Sequence, residues 1–285
     1  MVSPERVVAA IDRLNLVDPA DEYAYEKAFL AFLSIRSLPA LVFTFERGLE
    51  LFRTRTHDDD ILFSEFSDIL NPAPSLVKHF ARCNRPYQSK FYCSENRPTS
   101  YIELVSYWSA AKELGESLYT TIGHWLFTTP VRVLIVISPD EEGRVSDFHR
   151  MHGIGYDQVI RGYDPGTIEA CRIFYNYMYS KFSQPASDDP QLYIITSAYC
   201  NSVMAPNDAE IDAVCYPSVP YEQQGINFAF DSKFINQDNL QLLGALRNQF
   251  EVSVTFDGNK LFRQTHEIQA IGVDEPNQQL LWPAI

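Results

Sequence analysis

The chain has 285 residues, 46% of them hydrophobic and 13% aromatic, with only 12 Gly and 17 Pro, a composition that excludes disordered, collagen-like and low-complexity architectures. Its 23 Lys+Arg against 37 Asp+Glu leave a formal charge of −14, and no basic cluster offers the broad positive face that a nucleic acid needs. No stretch approaches the ~20 apolar residues of a membrane span, and the opening MVSPERVV lacks a basic, then apolar, leader. A soluble cytoplasmic protein is expected, its five scattered cysteines, Cys83, Cys93, Cys171, Cys200 and Cys215, reading as reduced thiols without CxxC spacing.

In chain order, Ser3-Pro4 supplies a cap and first-turn proline for a helix that buries Val7, Val8, Ile11 and Leu14 and ends before Asp18-Pro19. A second helix carries Tyr25, Ala28, Phe29 and Phe32, and Leu38-Pro39 breaks it before the apolar run Leu41 to Phe45. Strand character follows from Leu49 through Arg53 to Arg55, and His57-Asp58-Asp59-Asp60 reads as a solvated loop. Lys90 to Ser94 is a short strand, and Asn96-Arg97-Pro98-Thr99 gives turn and cap signals for a helix from Ser100. From Thr99 to Ala111 the sole charged residue is Glu103; Ser106, Tyr107 and Ala110 leave its helix face uncharged, as in a cleft.

Val131 to Ile137 is a β-branched run typical of a buried strand, and a loop follows from Pro139 to Gly143. The pattern predicts helices over Thr167 to Phe182 and Leu192 to Met204, separated by the Pro/Ser/Asp-rich stretch Gln184 to Pro190. Strands are expected over Ala213 to Tyr216 and Ile226 to Phe230, a helix over Leu240 to Arg247, and a hairpin from Glu251 to Phe256 with Asp257-Gly258.

Several familiar chemistries leave no signature. There is no GxSxG elbow, P-loop or GxGxxG, and no internal repeat. His149 and His152 sit three apart, but no third ligand follows at a diagnostic spacing, so they read as packing histidines and no metal is expected. What remains is a set of polar residues in apolar surroundings: Arg53 in a strand, Tyr92 near the end of another, Glu103 on its uncharged face and Ser218 after Tyr216-Pro217. Together they suit a site in which a cation holds phosphate, an aromatic face stacks a ring and a carboxylate stabilises a sugar cation.

The order of these residues resembles the RES-domain family. Leu51-Phe52-Arg53 resembles its opening aromatic-Arg strand. Arg82-Cys83-Asn84, then Phe91-Tyr92 and Glu103, resembles its Arg-x-Asn…Tyr…Glu block, and Tyr216-Pro217-Ser218 with Gly225-Ile226-Asn227 resembles its Tyr-Pro-Ser…Gly-x-Asn block. The resemblance implies an α+β fold with an ADP-ribosyltransferase-like split β-sheet core and helices. Residues 1–45 would be an N-terminal helical extension and 46–285 the catalytic domain, with a mid-chain insertion at about 110–190.

The resemblance also implies that NAD is substrate rather than cofactor, and that the nicotinamide-ribose bond is cleaved, as in NAD-depleting bacterial toxins. Arg53 would bind the phosphates with help from Arg82 and Asn84, and Tyr92 would stack near nicotinamide. Glu103 would stabilise the ribosyl cation, while Ser218 and Asn227 would support phosphate or ribose. Water, inorganic phosphate or a protein side chain could each be the nucleophile, giving hydrolysis, phosphorolysis or ADP-ribosyl transfer. A separately encoded antitoxin or inhibitor and a homo-oligomer are implied partners, with neither nucleic acid nor membrane among them. A binding protein that retains the fold without turnover is the non-enzymatic alternative.

Overall fold

The computed structural model describes residues 2–57, 60–108, 112–185, 189–204, 211–254 and 260–284. Among them the chain is α+β, with seven α-helices and a large mixed sheet. It divides into two compact units, each built from three chain segments: unit 1 from Met1–Phe45, Pro72–Phe91 and Val131–Phe234, unit 2 from Glu46–Asn71, Tyr92–Pro130 and Ile235–Ile285.

Unit 1 begins with α1 (Pro4–Asn15), where the Ser3 hydroxyl accepts from the Arg6 amide and Pro4 takes the first turn, as the sequence predicts. α2 (Ala24–Leu33) carries the expected aromatic face. The apolar run beyond it forms β1 (Val42–Phe45), antiparallel to β5 (Val131–Ile135). β5 pairs in parallel with β6 (Ala213–Pro217), which pairs antiparallel with β7 (Ile226–Asp231), giving the order β1-β5-β6-β7.

The parallel crossover from β5 to β6 carries α5 (Asp147–Ile160), α6 (Pro165–Phe182) and α7 (Pro190–Met204). Asp164 starts α6, accepting from the Gly166 and Thr167 amides at 3.0 and 3.1 Å. α1 packs on α6, and α2 packs on α7. Val133, Ile135, Val214, Cys215, Phe228 and Phe230 are buried, and each such aliphatic or aromatic side chain removes water-exposed surface worth about 1.5–3 kcal/mol. Residues 1–45, expected as an extension, thus contribute an edge strand and two packed helices to this unit.

Unit 2 holds β2 (Leu49–His57), α3 (Phe66–Ile69), the Tyr92–Ser94 end of β3 (Lys90–Ser94), α4 (Arg97–Trp108), β4 (Ser117–Phe127), β8 (Leu240–Val254) and β9 (Lys260–Gln269). Its strand order is β3-β2-β4-β8-β9, with each neighbouring pair antiparallel. A small hairpin, β10 (Gly272–Asp274) with β11 (Gln279–Leu281), follows.

Two expectations change. Leu240 to Arg247 is the first half of β8 rather than a helix. A bulge opposite His124/Trp125 skips Leu243, so the buried positions fall at 240, 242, 245 and 247, a spacing that mimics a helical stripe. α4 begins at Arg97, before Ser100, because the Asn96 side chain accepts from the Thr99 amide at 2.8 Å and caps the helix there. Within residues 110–190, β4 and β5 are interior strands of their units. Asp58 and Asp59 of the acidic triplet, the side chains at 106–108, Ala110 and the Asp257-Gly258 turn lie outside the described residues.

Candidate active site

In unit 2 the pleat of β2 divides the expected residues between two faces. Thr54 bonds Ser100 of α4 through their hydroxyls at 2.7 Å, so α4 covers the Thr54 face. Strand alternation then places Arg53 on the opposite face, across from Gly123. That is the α3 face: a Cβ added at Gly123 would come within 3.1 Å of Ile69 Cδ1 and 2.5 Å of Trp125 Nε1, so only glycine leaves room there. Arg55 and Arg247 share this face. Arg55 donates to the Asp68 carbonyl, and Arg247 lies over the Tyr119 ring and pairs with Asp60. Burial pulls the Arg53 pKa down to about 10, Cys93 opposing the fall and Arg55 adding to it.

Tyr92 and Glu103 come together on the other face. Phe52 pairs with Ser94, so Tyr92, two residues earlier in β3, shares the face of Phe52 and Thr54. On α4, Ser100 sits over β2, while Tyr101 stacks on Phe250 of β8 at 4.7 Å and Val105 packs against Leu118 and Phe250. Glu103 lies about 60° around the helix from Ser100, on the side away from Tyr101. It therefore occupies the flank of α4 nearer β3 and Tyr92, and both side chains are partly exposed. Glu103 and Arg53 stand on opposite faces of the unit 2 strands, so the expected phosphate cation and sugar carboxylate do not share one face.

The four remaining expected residues lie in unit 1. Arg82 donates to the carbonyls of Lys181 and Gln184 at 3.2 and 2.6 Å, closing the C-terminal end of α6. Asn84 donates from Nδ2 to His79 O and Arg85 O, both at 3.2 Å, and so holds its own turn. Asn227 sits opposite Tyr216 across β6 and β7. Ser218 follows directly, its amide donating to Gly225 O at 2.8 Å. Its hydroxyl is buried and makes no hydrogen bond among the described residues. The turn beyond holds Glu222 and Gln223 at φ 49° and 63°, left-handed conformations that cost a non-glycine residue about 1 kcal/mol or more each. A buried unsatisfied hydroxyl beside two strained residues is a pattern that functional sites share.

A cleft of about 460 Å³ in unit 1 is lined by Tyr25, Arg85, Gln88, Asn201, Asp231 and Lys233, next in sequence to Arg82 and Asn84 but not lined by them. Sequence reasoning passed over Lys90, whose buried ammonium meets the Asp231 carboxylate at 2.8 Å. Burial raises the Asp231 pKa and the hydrogen bond from Lys90 lowers it, the net effect being a fall. It also passed over the Arg144–Asp157 bidentate pair, at 2.8 and 2.7 Å. A lone Lys entering an apolar strand was the available signal for the first. Among the described residues no group of three or more His, Cys, Asp or Glu is placed to hold a metal, and no helix is long and apolar enough to cross a membrane. Comparison with known proteins finds no matching family model, no similar curated protein and no similar solved structure.

Proposed function

We propose that the chain is an NAD-cleaving enzyme whose chemistry is carried by Glu103, with Tyr92 as the stacking partner of the nicotinamide ring and an ADP-ribosyltransferase-like core. The observation that carries this reading is the placement of Tyr92 and Glu103 on one face of unit 2, Glu103 on the α4 flank toward β3. Breaking the nicotinamide-ribose bond builds positive charge on the ribose, and nicotinamide departs as a neutral ring that needs no strong acid. A fixed carboxylate beside the ribose stabilises that cation. Water as nucleophile gives ADP-ribose, and inorganic phosphate gives the phosphorylated product. A protein side chain gives ADP-ribosylation. In this reading Arg53, on the α3 face, supports the strands of unit 2.

The test is nicotinamide release from NAD by the purified full chain, with and without inorganic phosphate and with added protein acceptor. Wild type is expected to release nicotinamide, and Glu103→Gln to lose about 10²–10³-fold in rate while keeping its unfolding midpoint. Intact NAD after incubation with folded wild type under all three conditions, or full activity in Glu103→Gln, overturns the proposal.

A further inference from the structure

Two of the five cysteines, far apart in sequence, meet in the core of unit 1. Cys83 and Cys200 are 117 positions apart and both fully buried, and their sulfurs lie 2.7 Å from each other. That separation is well inside the about 3.5–4.0 Å at which even smaller non-bonded carbons rest. It is about 0.7 Å longer than a disulfide bond of ~2.0 Å. Both backbones are held in place. Cys83 lies in the turn closed by the Ala81 amide on Asn84 O at 3.0 Å, with Arg82 fastened to the end of α6 and Asn84 to His79 O and Arg85 O. Cys200 is in α7, its sulfur also 3.7 Å from Arg82 O.

We propose that Cys83 and Cys200 are a modification site: a reversible intramolecular disulfide that ties the Arg82–Asn84 turn to α7 when a peroxide reaches the core. The sequence of steps balances without another reactant. Peroxide transfers one oxygen to the Cys83 sulfur, forming a sulfenic acid and releasing water. The Cys200 sulfur then attacks the Cys83 sulfur, and its proton leaves with the hydroxyl as a second water, the two thiols having supplied two electrons. Burial, and Cys83 beside it, hold the Cys200 thiol well above the usual thiol pKa, which keeps the pair reduced until an oxidant is present. A thiol or dithiol reductant reverses the bond by exchange. The site is independent of the NAD reading, because its formation is read from sulfur chemistry alone.

The experiment is hydrogen peroxide treatment of the folded full chain, followed by thiol counting in denaturant and peptide mapping by mass spectrometry. The expected result is a fall from five titratable thiols to three, a linked peptide joining Cys83 to Cys200, and return to five after dithiothreitol. A cross-link closing so long a loop should raise the thermal midpoint by about 5–10 °C. Cys83→Ser should hold its four thiols under the same treatment. Five thiols surviving excess peroxide, or thiols lost without the Cys83–Cys200 peptide, overturns the proposal. Wild-type mapping alone decides it, should the variant fail to fold.

Discussion

His149 shows how a residue of ambiguous promise in the sequence takes its character from its surroundings. On α5 its Nδ1 pairs with Ser146 Oγ at 3.0 Å, its ring stands edge-on to Tyr179 and Phe148, and His152 lies one turn on, stacked on Phe148. Burial, with His152 adding to it, pulls the His149 pKa from 6.5 to about 4. The unfolded chain therefore binds a proton near pH 6.5 that the folded chain refuses until about pH 4. Stability from this group is complete above pH 6.5 and is lost as pH falls toward 4, by about 3 kcal/mol in all. Urea midpoints measured from pH 7 to pH 4 should fall more steeply for wild type than for His149→Gln. Parallel curves would show that the imidazole does not titrate in this way. The spacing of His149 and His152 was visible in the chain, but their burial among Phe43, Phe45 and Phe148 depends on β1, whose place against β5 is not local information.

Elements whose signals are local were legible. Ser3-Pro4, the Lys90 to Ser94 run and the Ala213 to Tyr216 and Ile226 to Phe230 runs became α1, β3, β6 and β7 because caps, prolines and β-branched runs act within a few residues. β8 was not legible, because the bulge at Leu243 breaks period two and leaves apolar residues where a helix would place them. At the same scale, Arg82 acts as the closing cation of α6, where partial negative charge from unpaired carbonyls accumulates. Arg82→Met removes two charge-assisted bonds and is expected to cost about 2–3 kcal/mol in urea unfolding. Lost NAD cleavage with an unchanged midpoint would instead give Arg82 a substrate role.

Across the whole molecule, each unit draws on three chain segments, so segment removal reaches further than a linear reading implies. Deleting residues 1–45 strips β1 from β5 and uncovers the faces of α6 and α7 on which α1 and α2 pack, Phe174, Tyr199 and the fully buried Cys171 among them. The truncated chain is expected to aggregate or to show exposed apolar surface by dye binding. A soluble, cooperatively folding 46–285 fragment would mean that these helices are dispensable after all.

The sequence by itself determined most helices and strands with local punctuation, and Glu103 as a lone carboxylate in uncharged company. Those properties rest on composition, on caps and on side-chain periods of two and 3.6, all of which operate along the chain. The tertiary structure alone decided which face each residue occupies. Arg53 and Glu103 part company because adjacent strand positions point to opposite sides and α4 chose the Thr54 side through Ser100. Cys83 meets Cys200, and Lys90 meets Asp231, because strand pairing and helix packing join positions more than a hundred residues apart. No local propensity carries that information, since the free energy that selects such pairings comes from burying surfaces that exist only once the units have formed.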